Sequence, residues 1–292
     1  MGQIIACANQ KGGVGKTTTV VNLATDLALA GNRVLVVDLD PQGNATSGLG
    51  VDRRAVKRSI YEVLVSGAGI AETVVPIPTT GVALVPSAPA LAGAEIELAA
   101  MNSRERRLAR ALAPISTDYD LILIDCAPSL GLLTVNALTA ADSVLIPLQC
   151  EYYALEGLGQ LIGTIHLVRD HLNPRLTIQG VLLTMFDART NLSAEVRAEV
   201  RRHLGPAVYD TLIPRSVRLS EAPSHGLPIA LYEADSKGAR AYNAFSREFG
   251  ARLGAAAPTI EATGNARDVV PVMAPGIGRS TQAAASHPAG VH

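Results

Sequence analysis

The chain of 292 residues carries 25 lysines and arginines against 26 aspartates and glutamates, which gives a formal net charge of −1 at pH 7. This balance excludes a whole-molecule attraction to nucleic acid or to an anionic membrane, so any such binding must come from a local patch. Hydrophobic residues make up 48% of the chain but aromatic residues only 3%, so an aliphatic core is expected.

Short apolar runs alternate with segments of helical period along the first 254 residues. The predicted strands are 4–8, 33–38, 82–87, 121–125, 143–148, 178–186 and 227–232, and the predicted helices are 16–30, 91–113, 130–140, 154–172, 191–204 and 236–254. Strands that are apolar throughout are typical of a parallel sheet covered on both faces. The pattern therefore predicts a doubly wound α/β fold, with ligands at the carboxyl ends of the strands.

The composition changes near the end of the chain. Residues 255–292 are rich in alanine, proline, glycine and serine and have few bulky apolar residues. Such a segment buries too little apolar surface to offset its ordering entropy. We predict one folded domain over residues 1–254 and a disordered tail over 255–292.

The cysteines and the apolar runs indicate a compartment. Cys7, Cys126 and Cys150 are widely spaced, which is not typical of a disulfide framework or a zinc site, and we interpret them as buried packing residues. The sequence has no signal peptide and no apolar run of the roughly 20 residues that span a membrane. A cytoplasmic protein without a membrane contact is expected.

The stretch NQKGGVGKTT, residues 9–18, joins the first predicted strand to the first predicted helix. Glycines let consecutive backbone N–H groups point at an anion, and the helix N-terminus adds its dipole. We expect Lys16 to reach the β- and γ-phosphates, the Thr17 hydroxyl to bind Mg²⁺, and Thr18 to contact the α-phosphate. The nucleotide-binding residues predicted from this loop are Gly12, Gly13, Val14, Gly15, Lys16, Thr17 and Thr18.

The loop departs from the common phosphate-loop pattern, which has glycine where this chain has Gln10, and it carries a second lysine, Lys11. Only four of the 25 basic residues are lysines, and two of those four lie within six residues of each other. A compact ammonium suits crowded phosphates better than a planar guanidinium does. The loop alone leaves open whether Lys11 contacts its own nucleotide or that of a second chain.

Acidic residues end two of the predicted strands. Asp38 and Asp40 close the run VLVVDLD, and Asp125 closes LILID. Beside a phosphate loop, Asp40 is placed to orient an attacking water, and Asp38 to assist on the Mg²⁺ side. Asp125 is expected to hold Mg²⁺ through a water molecule. The alternative roles are a turn cap before proline for the first pair and a helix cap for Asp125.

Together with TMFDARTNLS and IPRSVRLSEAPSHG, these motifs resemble the deviant Walker A ATPases of the ParA/Soj type, a SIMIBI-class group of P-loop NTPases that partition chromosomes and plasmids. The resemblance extends over residues 1–254. It implies ATP and Mg²⁺ as cofactors and an ATP-dependent homodimer in which Lys11 reaches across to the partner's nucleotide. It also implies that Asp40 is the hydrolytic carboxylate.

The same resemblance implies partners. A ParB-type centromere-binding protein would stimulate hydrolysis, and the dimer would bind duplex DNA without sequence preference, so the protein would associate with the nucleoid. Because the first predicted strand begins near residue 3, the resemblance favours the short, chromosomal (Soj-like) form. It also places the adenine among apolar groups late in the sheet, where Met185 and Pro214 are the matching residues.

Residues 189–218 contain six arginines against three acidic residues, a local excess of three positive charges (six minus three). Basic side chains that face phosphates without reading bases suit non-specific DNA binding, although the same run could be a solvated helix face. The predicted DNA-binding residues are Arg189, Arg197, Arg201 and Arg218.

The sequence fits several other functions less well. A MinD-like membrane-switching ATPase should end in a basic amphipathic helix, which residues 255–292 do not resemble. An iron–sulfur carrier needs paired cysteines. A P-loop small-molecule synthetase would need a second substrate pocket that the sequence does not reveal. Ser220, Glu221 and His225 have a turn-like spacing that does not favour acyl transfer.

Overall fold

A computed structural model describes residues 2–151 and 154–253 of the chain. The predicted tail, 255–292, lies outside the described residues. Over the described part, the strands are β1 (Gln3–Cys7), β2 (Val34–Leu39), β3 (Val75–Ile77), β4 (Val82–Val85), β5 (Leu121–Cys126), β6 (Ser143–Gln149), β7 (Thr177–Phe186) and β8 (Val208–Pro214).

These strands form one sheet in the order β3-β4-β2-β5-β1-β6-β7-β8. Among the described strands only the β3–β4 pair is antiparallel, and every other neighbouring pair is parallel. Neighbouring strands that are far apart in sequence require crossover connections, and helices supply these connections. The predicted doubly wound, mostly parallel sheet is confirmed.

The α-helices of the described part are α1 (Lys16–Leu29), α2 (Asn44–Gly48), α3 (Ala94–Ala99), α4 (Arg107–Leu112), α5 (Leu132–Ala140), α6 (Ala154–His171), α7 (Asn191–Leu204), α8 (Val217–Glu221), α9 (Ile229–Tyr232) and α10 (Lys237–Leu253). Short 3₁₀ turns lie at Ile70–Thr73, Pro89–Gly93, Arg104–Arg106, Ala113–Ile115, Gly205–Ala207 and Ala222–His225, and a π-helical turn at Glu62–Ser66.

Helices cover both faces of the sheet. Along β2, Leu35 and Val37 pack into one buried cluster with α3 to α7, while Val34 and Val36 pack into a second cluster with α1 and α10. Successive strand residues point to opposite faces, so burial of all of them requires a layer on each side. The few aromatic residues concentrate in the second cluster, where Tyr209 of β8 meets Phe245 of α10 edge-on at 4.9 Å between ring centroids.

Two predicted elements were wrong, and two strands were missed. The apolar run 227–232 is not a strand: Pro228 precedes the short helix α9, whose first N–H, that of Ile229, donates to Asn22 Oδ1 at 2.7 Å. The predicted helix 91–113 is divided at Ser103, which has a left-handed φ of 51°. The missed strands β3 and β8 lie at the two sheet edges and contain proline or polar residues, so neither reads as an apolar run.

The three cysteines are buried and form no disulfide, as predicted. Among the helices of residues 2–151 and 154–253, none combines the length and the apolar composition that a membrane span requires.

Candidate nucleotide site

A cavity of about 720 Å³ opens at the carboxyl edge of the sheet. Strands β2, β5 and β1 are neighbours, with Asp38 opposite Asp125 and Cys7 also opposite Asp125 in the register. Their parallel direction brings the loop after β1 and the acidic ends of β2 and β5 to one place. The predicted convergence of these three segments is therefore present.

The loop between β1 and α1 has the geometry of an anion cradle. Gly13 and Gly15 have left-handed φ values of 75° and 91°, which other residues adopt at a cost. No side chain caps the first turn of α1, so its N–H groups remain available to a ligand. Val14 is buried, and its carbonyl accepts a hydrogen bond from the Thr184 hydroxyl at 2.8 Å. That bond ties the loop to β7.

The two lysines of the loop occupy different environments. Lys16 is buried, and its Nζ donates to the Lys11 carbonyl at 3.2 Å. The backbone N–H of Lys11 donates to Asn9 Oδ1 at 3.0 Å, and Asn9 Nδ2 donates in turn to the Pro147 carbonyl at 2.7 Å. The Lys11 side chain leaves the loop and pairs with Glu151, with 2.5 Å between Nζ and Oε2.

Asp125 is fully buried, and neither of its carboxylate oxygens accepts a hydrogen bond within the described part of the chain. Burial, followed by the neighbouring carboxylate of Asp38, raises its pKa well above the usual range. The Thr17 hydroxyl and the Lys16 ammonium partly offset that rise. A buried carboxylate without a partner is costly, and a cation beside it would remove the cost.

Asp38 is buried as well, but its oxygens are engaged. Its Oδ2 accepts from the backbone N–H of Thr46 at 2.7 Å and from the Thr46 hydroxyl at 2.6 Å, and Oδ1 accepts from the Asp40 N–H at 3.3 Å. Burial is the main cause that raises its pKa to about 6. In this conformation Asp38 organises the loop 40–46, and its assignment to Mg²⁺ stays a prediction.

Asp40 lies at the carboxyl end of β2 and lines the cavity. Its Oδ1 accepts from the Gln42 N–H at 2.9 Å, and its backbone carbonyl accepts from the Ser87 hydroxyl at 2.8 Å. These contacts fix the backbone and one oxygen. Within the described residues the other oxygen accepts no hydrogen bond, so it can orient a water molecule.

Met185 and Pro214, the predicted adenine contacts, both line the cavity at the ends of the adjacent strands β7 and β8. Met185 has a left-handed φ of 50°, which is uncommon for a residue other than glycine and is often found at ligand sites. Sequence reasoning missed further lining residues, because they lie in the turns after β8 and around α2: Asn44, Arg215, Ser216, Leu219 and Pro223.

The site fits a magnesium nucleotide on the residues themselves. A glycine loop and an uncapped helix N-terminus suit phosphates, and Lys16 adds a buried ammonium. The unpartnered carboxylate of Asp125 and the hydroxyl of Thr17 form an oxygen donor set of the kind that Mg²⁺ prefers.

The predicted DNA-binding arginines lie outside the cavity, and ion pairs engage most of them. Arg189, whose side chain is 87% exposed, pairs with Asp187 at 2.7 Å. Arg218 contacts both Glu221 and Glu233, at 2.9 and 2.7 Å. Arg201 pairs with Asp210, and Arg197 makes no ion pair with any described residue. The local excess of positive charge is therefore partly neutralised in the single chain.

Ser220, Glu221 and His225 form no catalytic triad. Glu221 pairs with Arg218, and the His225 ring stacks on Tyr232 at 4.9 Å between centroids. These residues belong to α8 and the following turn, which form one wall of the cavity.

The fold and this site define a P-loop nucleotide-binding protein. Residues 2–178 match the AAA domain family. The chain is 57% identical over 251 residues to the sporulation initiation inhibitor protein Soj of Bacillus subtilis, covering 86% of this chain and 99% of that protein. It is 55% identical over 248 residues to the chromosome partitioning protein ParA of Myxococcus xanthus, covering 85% and 88%. The chain belongs to the ParA/Soj family of chromosome-partitioning P-loop ATPases.

A solved structure with a similar fold carries a different name. It is that of cobyrinic acid a,c-diamide synthase from Mycobacterium smegmatis with bound ADP and magnesium, 40% identical with a TM-score of 0.77. The match covers 87% of this chain and 96% of that one. Its bound groups are consistent with the predicted cofactors, ATP and Mg²⁺.

Proposed function

We propose that this chain is a weak ATPase of DNA partition, in which ATP binding joins two copies face to face and the dimer binds duplex DNA. Hydrolysis, stimulated by a ParB-type partner, returns the protein to its monomeric state. The observation that carries the proposal is that Asp125 at the end of β5, whose oxygens accept no hydrogen bond from the described residues, lies beside Lys16 and Thr17 of the glycine loop. The ATPase domain would span residues 1–254, followed by a tail over 255–292.

The catalytic roles follow from the placement of the side chains. The loop N–H groups and Lys16 hold the phosphates, while Thr17 and Asp125 hold the Mg²⁺ that neutralises developing phosphate charge. Asp40, fixed at one oxygen by Gln42, uses its other oxygen to orient the attacking water. Lys11 is the residue that a second chain would place on the phosphates.

Dimerisation explains how ATP could control DNA binding in a chain of net charge −1. One chain supplies only a few of the predicted DNA-binding arginines, and Arg189, Arg201 and Arg218 among them are ion-paired. Two chains held side by side would present twice the number of phosphate contacts, and affinity for DNA rises steeply with that number. This arrangement would place the protein in the cytoplasm, on the nucleoid.

The Asp40→Ala variant tests the proposal directly. It should bind ATP and dimerise like the wild type but lose turnover, because only the water-orienting carboxylate is removed. Light scattering with ATP or ADP, before and after duplex DNA is added, should show a dimer that binds DNA only with ATP. A chain that stays monomeric with saturating Mg²⁺ and a non-hydrolysable ATP analogue would contradict the proposal.

A second candidate is suggested by the 40% identity to a protein named as an amide-forming synthase. Such an enzyme requires an acid substrate and a nitrogen donor in addition to ATP. Its ATP turnover should rise when those compounds are added and should not change when DNA is added. Turnover that rises only when DNA and a ParB-type partner are added together supports the partition role.

A further inference from the structure

The Lys11 side chain is already engaged by a carboxylate of its own chain. Its Nζ lies 2.5 Å from Glu151 Oε2, and both side chains are about two-fifths exposed, at 42% and 41%. The other oxygen of Glu151 accepts a hydrogen bond from the Gln149 amide. Glu151 is therefore fixed at the end of β6, across the loop from Lys11.

The backbone of Lys11 is held independently of this ion pair. Its N–H donates to Asn9, and its carbonyl accepts from Lys16. Asn9 is in turn bonded to the Pro147 carbonyl on β6. The side chain of Lys11 can therefore leave Glu151 without any rearrangement of the phosphate loop.

We propose that Glu151 is a positioning residue that holds Lys11 in the single chain and competes with the nucleotide of a second chain for its ammonium. This inference rests on the proposed function, in which Lys11 acts across a dimer interface. A triphosphate carries several negative charges and Glu151 only one, so the ammonium transfers when a loaded partner arrives. The ion pair thus opposes dimerisation and makes it depend on a highly charged ligand.

The size of the effect follows from the exposure of the pair. Exposed ion pairs stabilise a protein only slightly, and a dimer must break two of them, one in each chain. Removal of the carboxylate should tighten dimerisation about two- to thirtyfold. The gain should shrink as salt screens the pair.

The test uses the full chain with saturating Mg²⁺ and a non-hydrolysable ATP analogue. Sedimentation equilibrium gives the dimer dissociation constant of the wild type, of Glu151→Gln and of Glu156→Gln. The control changes net charge by the same amount at an exposed glutamate of α6. We expect Glu151→Gln to lower the dissociation constant and Glu156→Gln to leave it nearly unchanged.

A second measurement examines the ion pair without dimerisation. In the nucleotide-free monomer, an amine-reactive reagent should label Lys11 faster in Glu151→Gln than in the wild type, with Lys57 as the internal reference. Unchanged labelling would overturn the proposed contact. A wild type that dimerises while Glu151→Gln dimerises equally or more weakly would overturn the inference and leave the proposed function standing. A wild type that never dimerises would overturn both.

Discussion

Asp125 combines complete burial with carboxylate oxygens that accept no hydrogen bond of ordinary geometry from the described part of the chain, although the Thr17 hydroxyl and the Lys16 ammonium are close enough to lower its pKa. Its position was predictable because it ends an apolar strand beside a phosphate loop. Its isolation was not, since that depends on what the rest of the fold leaves out. The same holds for Asp38, whose bonds to Thr46 span eight residues, and for Lys11, whose partner Glu151 lies 140 residues away.

The Asp125→Asn variant separates the cost of this buried carboxylate to stability from its proposed role in binding Mg²⁺. Without ligand it should be more stable than the wild type, by roughly 1–3 kcal/mol, because a buried unpartnered acid is replaced by a neutral amide. It should also lose the stabilisation that Mg²⁺·ATP gives the wild type. Calorimetry with EDTA and with Mg²⁺·ATP measures both changes.

The control for this variant is Asp118→Asn, at an exposed aspartate outside the cavity. It should change neither the stability without ligand nor the stabilisation by Mg²⁺·ATP. An Asp125→Asn protein that is less stable without ligand and still gains stability from Mg²⁺·ATP would contradict the assignment of Asp125 to the metal.

Helices and strands were predictable where the spacing of apolar residues in the sequence matches the burial of those residues in the fold. Strands β1, β2, β5 and β6 are buried on both faces and read as apolar runs, so their positions follow from the sequence. Strand β8 does not, because an edge strand needs burial on fewer sides and carries the exposed Asp210. Helix α9 looked like a strand because four residues are too few to show a helical period.

Helix α1 carries a charge on the side away from the phosphate loop. Asp26 lies beside α10, and one of its carboxylate oxygens is buried without a hydrogen-bond partner among the described residues. Burial raises its pKa from 3.8 to about 6. The folded state therefore binds a proton more tightly than the unfolded chain. This contribution to stability is complete below pH 3.8 and is lost as the pH rises through about 6.

The Asp26→Asn variant should not show this fall in stability with rising pH. At pH 7 it should be more stable than the wild type by roughly 1–2 kcal/mol, after a discount for the part of the side chain that solvent screens. This corresponds to a rise in Tm of roughly 2–8 °C. Toward pH 4 the difference should shrink to a small remainder, since Asp26 is then neutral in the folded chain and about half protonated in the unfolded chain. Thermal unfolding across pH 4–8 measures the effect, and a difference independent of pH would refute it.

At the scale of the whole molecule, the charge distribution suits a protein that binds DNA conditionally. The chain is close to neutral, and four of the six arginines in residues 189–218 are ion-paired within the described part. In the proposed DNA binding, each pair would exchange a carboxylate for a DNA phosphate, which would weaken the binding by a single chain. Sequence reasoning identified the arginine-rich segment from composition, but the acidic partners become neighbours only through the fold.

Replacement of Arg189 or Arg218 by alanine should weaken binding of the ATP-bound dimer to duplex DNA, because each change removes one phosphate contact per chain. Loss of two contacts per dimer should make the negative slope of log K against log salt shallower by about 2. The loss of affinity should be similar for unrelated DNA sequences. ATP-dependent dimerisation should be retained, since neither arginine lines the cavity. Arg33→Ala is the matched control, because Arg33 is also ion-paired and exposed but lies at the opposite, amino edge of β2. Binding titrations across a salt series, with dimer formation measured in parallel, provide the test. An unchanged salt slope in both the Arg189→Ala and the Arg218→Ala variant would place the DNA surface elsewhere on the molecule.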